Sequence, residues 1–105
     1  MKDMQKLNEK PIQFENENLY FIKTDYVYGG TAIVAMTEDE ELYDYVSINL
    51  SEYGKIPNED CIYLNHNLTD EFVEMFKEHF VEATVDYCVG GWVLFECVKL
   101  KKGLI

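Results

Sequence analysis

Apolar residues in this chain fall into two rhythms, and the switch between them lays out the fold. Over residues 19–50, 60–64 and 83–100 they recur with the near-alternation of half-buried strands, whereas Phe72, Val73, Phe76 and Phe80 follow the spacing of one helix face. The first rhythm predicts an edge strand starting at Pro11-Ile12-Gln13-Phe14, a hairpin of residues 19–28 and 31–37, a strand over 42–50 and a short strand over 60–64. In the hairpin, Leu19, Phe21, Val27, Ala32, Val34 and Met36 form one candidate face, and Tyr20, Ile22, Tyr26, Tyr28 and Ile33 the other. In 42–50, Leu42, Val46, Ile48 and Leu50 alternate with Tyr43, Tyr45, Ser47 and Asn49, so one face is expected in the core and one wetter.

The helical rhythm begins after Thr69, a good N-cap, with Asp70 and Glu71 at the positive end of the helix dipole. Opposite the phenylalanine stripe, Glu71, Glu74, Glu78 and Glu82 are expected to form one line of carboxylates about a turn apart. Its like-charge repulsion costs a few tenths of a kcal/mol per pair.

Strands over 83–89 and 92–100 close the chain around Gly90-Gly91, which reads as the two central residues of a type I′ turn. Asp25-Tyr26-Val27-Tyr28-Gly29-Gly30 echoes Asp86-Tyr87-Cys88-Val89-Gly90-Gly91, by duplication or by convergence on the same turn chemistry. The order β-β-β-β-α-β-β predicts an α+β fold, an antiparallel sheet of about five to six strands with one amphipathic helix on one face. Residues 12–100 make the expected single domain, 1–11 a polar, frayed lead-in and 101–105 a basic and apolar tail.

Charge changes the picture most. Twenty Asp and Glu stand against nine Lys and no Arg, a net −11. Six of the lysines lie in the first ten and last seven residues, so the stretch 11–98 holds eighteen acids and three lysines, about −15. Such a body repels nucleic acid and anionic membranes and attracts basic partners. It also lacks the bidentate arginine that usually binds phosphate. The acidic run Glu38-Asp39-Glu40-Glu41 has neither the spacing nor the glycine of a calcium loop, and no metal or cofactor is expected.

Cys61, Cys88 and Cys97 are odd in number, form no C-x-x-C and follow no signal sequence, which points to free thiols in the cytoplasm. Their apolar strand contexts suit small core residues better than nucleophiles, and His66 and His79 lack a catalytic setting, so an enzyme is not expected.

Val46-Ser47-Ile48-Asn49-Leu50, Pro57, Asn65, the single helix and Gly91-Trp92-Val93-Leu94-Phe95 follow one another in an order that resembles a family of short uncharacterised proteins of bacterial mobile elements. The resemblance covers roughly residues 42–98 and implies a phage or plasmid origin. In character the chain is similar to small acidic anti-CRISPR and anti-restriction inhibitors. The expected role is therefore a non-enzymatic protein that occupies the basic nucleic-acid-binding surface of a nuclease or related enzyme. Its carboxylates Glu38, Asp39, Glu40, Glu41, Glu71, Glu74, Glu78 and Glu82 stand in for phosphates, and Tyr43, Tyr45 and Tyr53 serve as anchors. The alternative is a homodimeric or accessory interaction module held together through its aromatic strands.

Overall fold

The computed structural model describes residues 4–27 and 30–103. Its elements are β1 (Gln5–Lys6), β2 (Ile12–Phe14), β3 (Glu17–Asp25), β4 (Thr31–Thr37), β5 (Leu42–Tyr45), β6 (Cys61–Tyr63), α1 (Asp70–Phe80), β7 (Val81–Gly90) and β8 (Val93–Leu100), with a 3₁₀ turn at Ser51–Tyr53. The α+β class and the antiparallel pairing are as the pattern predicts, but the strands form two sheets rather than one. In the larger, β1 and β2 both pair with β3, β3 with β4 and β4 with β5; in the smaller the order is β6-β8-β7.

The division arises where the expected 42–50 strand breaks. Val46 N and Ser47 N both donate to the Ile33 carbonyl, at 3.0 and 3.1 Å, so the chain bulges off β4. On its other side the same segment bonds β6: Ile48 N donates to Tyr63 O and Asn65 N to Val46 O, each at 2.9 Å. The buried Ser47 hydroxyl accepts from Ile33 N at 2.9 Å and shares a 2.6 Å hydrogen bond with Tyr26 Oη. An irregular segment is thus satisfied on both sides and stitches the sheets together.

Helix α1 fills the angle between them. Thr69 Oγ1 accepts from Phe72 N at 3.2 Å, as expected of an N-cap. The Phe21 ring lies 6.0, 5.5 and 5.0 Å from the rings of Phe72, Phe76 and Phe80. Leu19 and Ile33 from the large sheet, Val46 from the connecting segment, and Ile62, Val98 and Leu100 from the small sheet complete this core. A second cluster, with Leu50, Cys61, Tyr63, Phe95 and Cys97 at its centre, lies on the opposite face of the small sheet beneath the 48–60 loop.

Several expectations are corrected. The β3–β4 register pairs Phe21 with Ala35 and Lys23 with Ile33, so Ile33 and Ala35 join Leu19 and Phe21 in the core. Val34 and Met36 lie instead on the outer face with Tyr20 and Ile22, because a one-residue difference in pairing exchanges the faces of a strand. A bulge between Ala35 and Met36 does the same to β5: Leu42 is exposed, while Tyr43 turns inward and stacks on Phe72 with ring centroids 6.1 Å apart. The lead-in is tied to β3 through Leu7 N to Phe21 O at 2.8 Å, and through the Asn8 side chain, which bonds Phe21 N and Leu19 O.

The last hairpin turns at Gly91-Trp92, not Gly90-Gly91, since Gly90 pairs with Val93. Gly91 takes the positive φ of 62°, and Gly90 is required for a different reason: a Cβ there would stand 2.9 Å from the Phe95 ring. The matching turn at Gly29-Gly30 falls partly outside the described residues.

Ser47→Ala leaves the buried Ile33 N–H without its acceptor. A loss of about 1–3 kcal/mol is expected, read as a lowered urea midpoint with unchanged slope. Thr69→Ala is expected to cost about 1 kcal/mol by the same measurement.

Candidate acidic interface

Two turns meet at one end of the large sheet. Pairing of Leu19 with Thr37 places the β2–β3 turn beside the β4–β5 turn, and Asn18 Nδ2 donates across to Glu38 Oε1 at 2.7 Å. The exposed carboxylates of Glu15, Glu17, Glu38, Asp39, Glu40 and Glu41 therefore gather at a single edge. Among the described residues, none of the six is in an ion pair; the pairs present use Glu96, Asp60 and Glu82.

The backbone of both turns is demanding. Glu15 and Asn16 have φ of 47° and 67°, the left-handed pair that a two-residue hairpin turn requires. In the β4–β5 turn, Glu40 N donates to Thr37 O and Thr37 N to Glu41 O, while Glu40 itself holds φ 63°. Glycine or asparagine suits such positions, and a glutamate there costs about 1–2 kcal/mol in backbone strain. Side-chain bonds also restrain part of the array. Glu38 is held by Asn18, and Glu15 Oε1 accepts from Tyr43 Oη at 3.2 Å. Burial against Phe72 and the neighbouring Glu15 carboxylate push the Tyr43 hydroxyl above its ordinary pKa.

The helix carries the array further. Phe72 touches both Phe14 and Tyr43, which sets the first turn of α1, with Asp70 and Glu71, at the flank of this edge. Exposed Glu71, Glu74 and Glu78 continue along the helix. Glu82 does not: the helix ends at Phe80, and Glu82 lies in β7 with its carboxylate 3.7 Å from Lys99 Nζ. The proposed anchors also separate. Tyr43 is a half-buried support, Tyr45 is 58% exposed on the edge strand β5, and Tyr53 packs over the distant Gly90–Gly91 backbone.

Sequence reading missed Glu15 and Glu17. The signal was present in Glu15-Asn16 between two apolar runs, a weaker form of the Asn-Gly hairpin pattern.

The cysteines lie together on the loop-covered face of the small sheet, around Tyr63. Burial, with Asp60 accepting from its Sγ, pushes the Cys61 thiol up to about 12, and burial raises Cys97 as well. A thiol in that state is protonated near neutrality and a poor nucleophile.

Among the described residues, no group of three or more His, Cys, Asp and Glu side chains is placed to hold a metal ion, and no helix is long and apolar enough to cross a membrane. Comparison with protein-family models, with curated proteins and with solved structures finds no match.

Three outcomes follow from this geometry. Glu40→Gly is expected to raise stability by about 0.5–1 kcal/mol, since glycine takes the left-handed conformation without a Cβ clash; calorimetry checks it. Native-state labelling with a thiol reagent at pH 8 is expected to modify Cys61 and Cys97 only at the rate of opening, and both rapidly in urea.

The third concerns acid. Burial alone would raise Glu96, but hydrogen bonds from Lys77, at 2.5 Å, and from Thr84 outweigh it and hold the carboxyl below its ordinary range. A carboxyl lowered on folding adds stability above its unfolded pKa and loses it as pH falls through the folded one. Glu96→Gln is therefore expected to be less stable than the parent at pH 7, with the gap closing in acid below the ordinary carboxylate range.

Proposed function

We propose that this protein is a non-enzymatic acidic binding protein that inhibits a nucleic-acid enzyme, of the anti-CRISPR or anti-restriction type, by covering its basic nucleic-acid-binding surface. One observation carries the reading. Glutamates occupy left-handed turn positions at Glu15 and Glu40, where glycine or asparagine would relieve strain, and both contribute to a row of carboxylates that is in no ion pair among the described residues. A net charge of −11 without arginine adds long-range attraction for a basic partner, screened over about 8 Å at physiological salt. Carboxylates restrained by Asn18 and Tyr43 have less freedom to lose on docking than flexible surface glutamates.

The mechanism is competition. A basic channel that binds phosphates through lysine and arginine meets Glu38, Asp39, Glu40 and Glu41 at the sheet edge and Glu71, Glu74 and Glu78 along the helix, and releases its own counterions on either ligand. A site of this kind in a phage or plasmid protein acts in the host cytoplasm, without a cofactor.

A second reading has its own support. Trp92 is fully exposed at the tip of the last hairpin, and Tyr87, Val89 and Leu94 are each more than half exposed beside it. This uncharged surface on an acidic molecule suits association with another copy.

The test is affinity capture on the immobilised protein from a bacterial lysate containing an RNA-guided nuclease, with stepwise salt elution. A basic nucleic-acid enzyme is expected to be retained at low salt and displaced by its guide or DNA. Glu71→Lys, Glu74→Lys and Glu78→Lys together are expected to abolish retention while leaving the thermal midpoint within a few degrees. Retention unchanged by this triple reversal removes the helix from the interface. A dimer by sedimentation, lost in Trp92→Ser, with no enzyme retained, favours the second reading.

A further inference from the structure

The outer face of the large sheet, away from the helix, carries a trough of about 480 Å³. Its floor is Tyr20 and Ile22 from β3 and Val34 and Met36 from β4, which the register places together on the outer face. They remain half-buried, and they are paired directly across the strands, Tyr20 with Met36 and Ile22 with Val34. Glu38 and Glu40 line the trough from the acidic turn, and Lys6 stands on another side with its Nζ 4.3 Å from the Tyr20 ring centre.

This combination has a specific chemistry. An apolar floor beside two carboxylates fits a side chain that is aliphatic along its stem and cationic at its head, the form of arginine and lysine. Lys6 already shows that the Tyr20 face accepts a cation. Glu38 is held by Asn18 before any ligand arrives, and Glu40 lines the trough from its left-handed backbone position. Glu71, Glu74 and Glu78, by contrast, project from the exposed side of the helix.

We infer that the trough binds an extended basic segment of the partner protein, with apolar stems lying on Tyr20, Ile22, Val34 and Met36 and an arginine or lysine head reaching Glu38 and Glu40. The inference rests on the proposed function for the partner's basic character and adds where on this chain the contact becomes selective. Charge along the helix steers, and the trough recognises.

The experiment uses the full chain labelled with ¹⁵N, titrated in physiological salt with an acetylated, amidated hexapeptide of alternating arginine and leucine. Saturable amide shifts are expected at Tyr20, Ile22, Val34, Met36, Glu38 and Glu40. The matching peptide of glutamate and leucine is expected to produce none. Glu38→Gln with Glu40→Gln, both at exposed positions, is expected to weaken binding about tenfold.

Shifts confined to residues 71–78 would overturn the trough while leaving the acidic-inhibitor reading in place. Equal binding of the glutamate peptide would overturn the selection for a cation. Concentration-dependent shifts at the trough without peptide would identify a second copy as its occupant and overturn the inference. Saturable trough binding of the arginine peptide, together with failure to capture any nucleic-acid enzyme, would uphold the inference about the segment and discard the inhibitor.

Discussion

The architecture depends on residues 46–48 being hydrogen-bonded on both sides. Val46 and Ser47 share the Ile33 carbonyl, the Ser47 hydroxyl accepts from the Ile33 N–H, and Val46 and Ile48 bond Asn65 and Tyr63 across the gap. A buried irregular segment with unpaired backbone groups would cost several kcal/mol, so these bonds, with the shared apolar core, hold the two sheets together. The angle between them creates the space that Phe72, Phe76 and Phe80 fill. The helix has only eleven residues, a length marginal in isolation, and its contact with Phe21 and both sheets provides most of its stability.

With the core organised this way, charge is distributed by topology rather than by sequence neighbourhood. The two turns that bring Glu15 and Glu17 beside Glu38–Glu41 are more than twenty residues apart in the chain, and only the β3–β4 register makes them neighbours. The lysines that do form ion pairs, Lys77 and Lys99, attend Glu96, Asp60 and Glu82 around the small sheet. Among the described residues, no carboxylate of the acidic turns is in an ion pair, and the backbone there carries strain that a glycine would remove. Strain and like charge gathered in one place are both adverse to folding, and their coincidence supports the proposal that this edge contacts a basic partner.

The outer trough follows from the same register. Had Val34 and Met36 shared a face with Leu19 and Phe21, as strand alternation grouped them, the floor would be absent. Placing them outward beside Tyr20 and Ile22 leaves the sheet with two apolar faces, one under the helix and one open between Lys6 and the acidic turn.

What the chain determined by itself was local. The helix from its Thr69 cap, its phenylalanine stripe, the hairpins, the α+β class and the excess of acid are written in periodicity, capping chemistry and composition, each of which acts within a few residues. The end of the helix at Phe80, which takes Glu82 out of the carboxylate line, was not local, because Lys101 N bonds the Phe80 carbonyl from the far end of the chain. Nor were the faces of β3, β4 and β5. Alternation tells which residues share a side of a strand, but cross-strand pairing and bulges decide which side meets the core. Tertiary structure alone therefore separated Tyr43 from Tyr53, brought Glu15 to Glu38 and opened the trough, since each depends on hydrogen bonds between residues far apart in sequence.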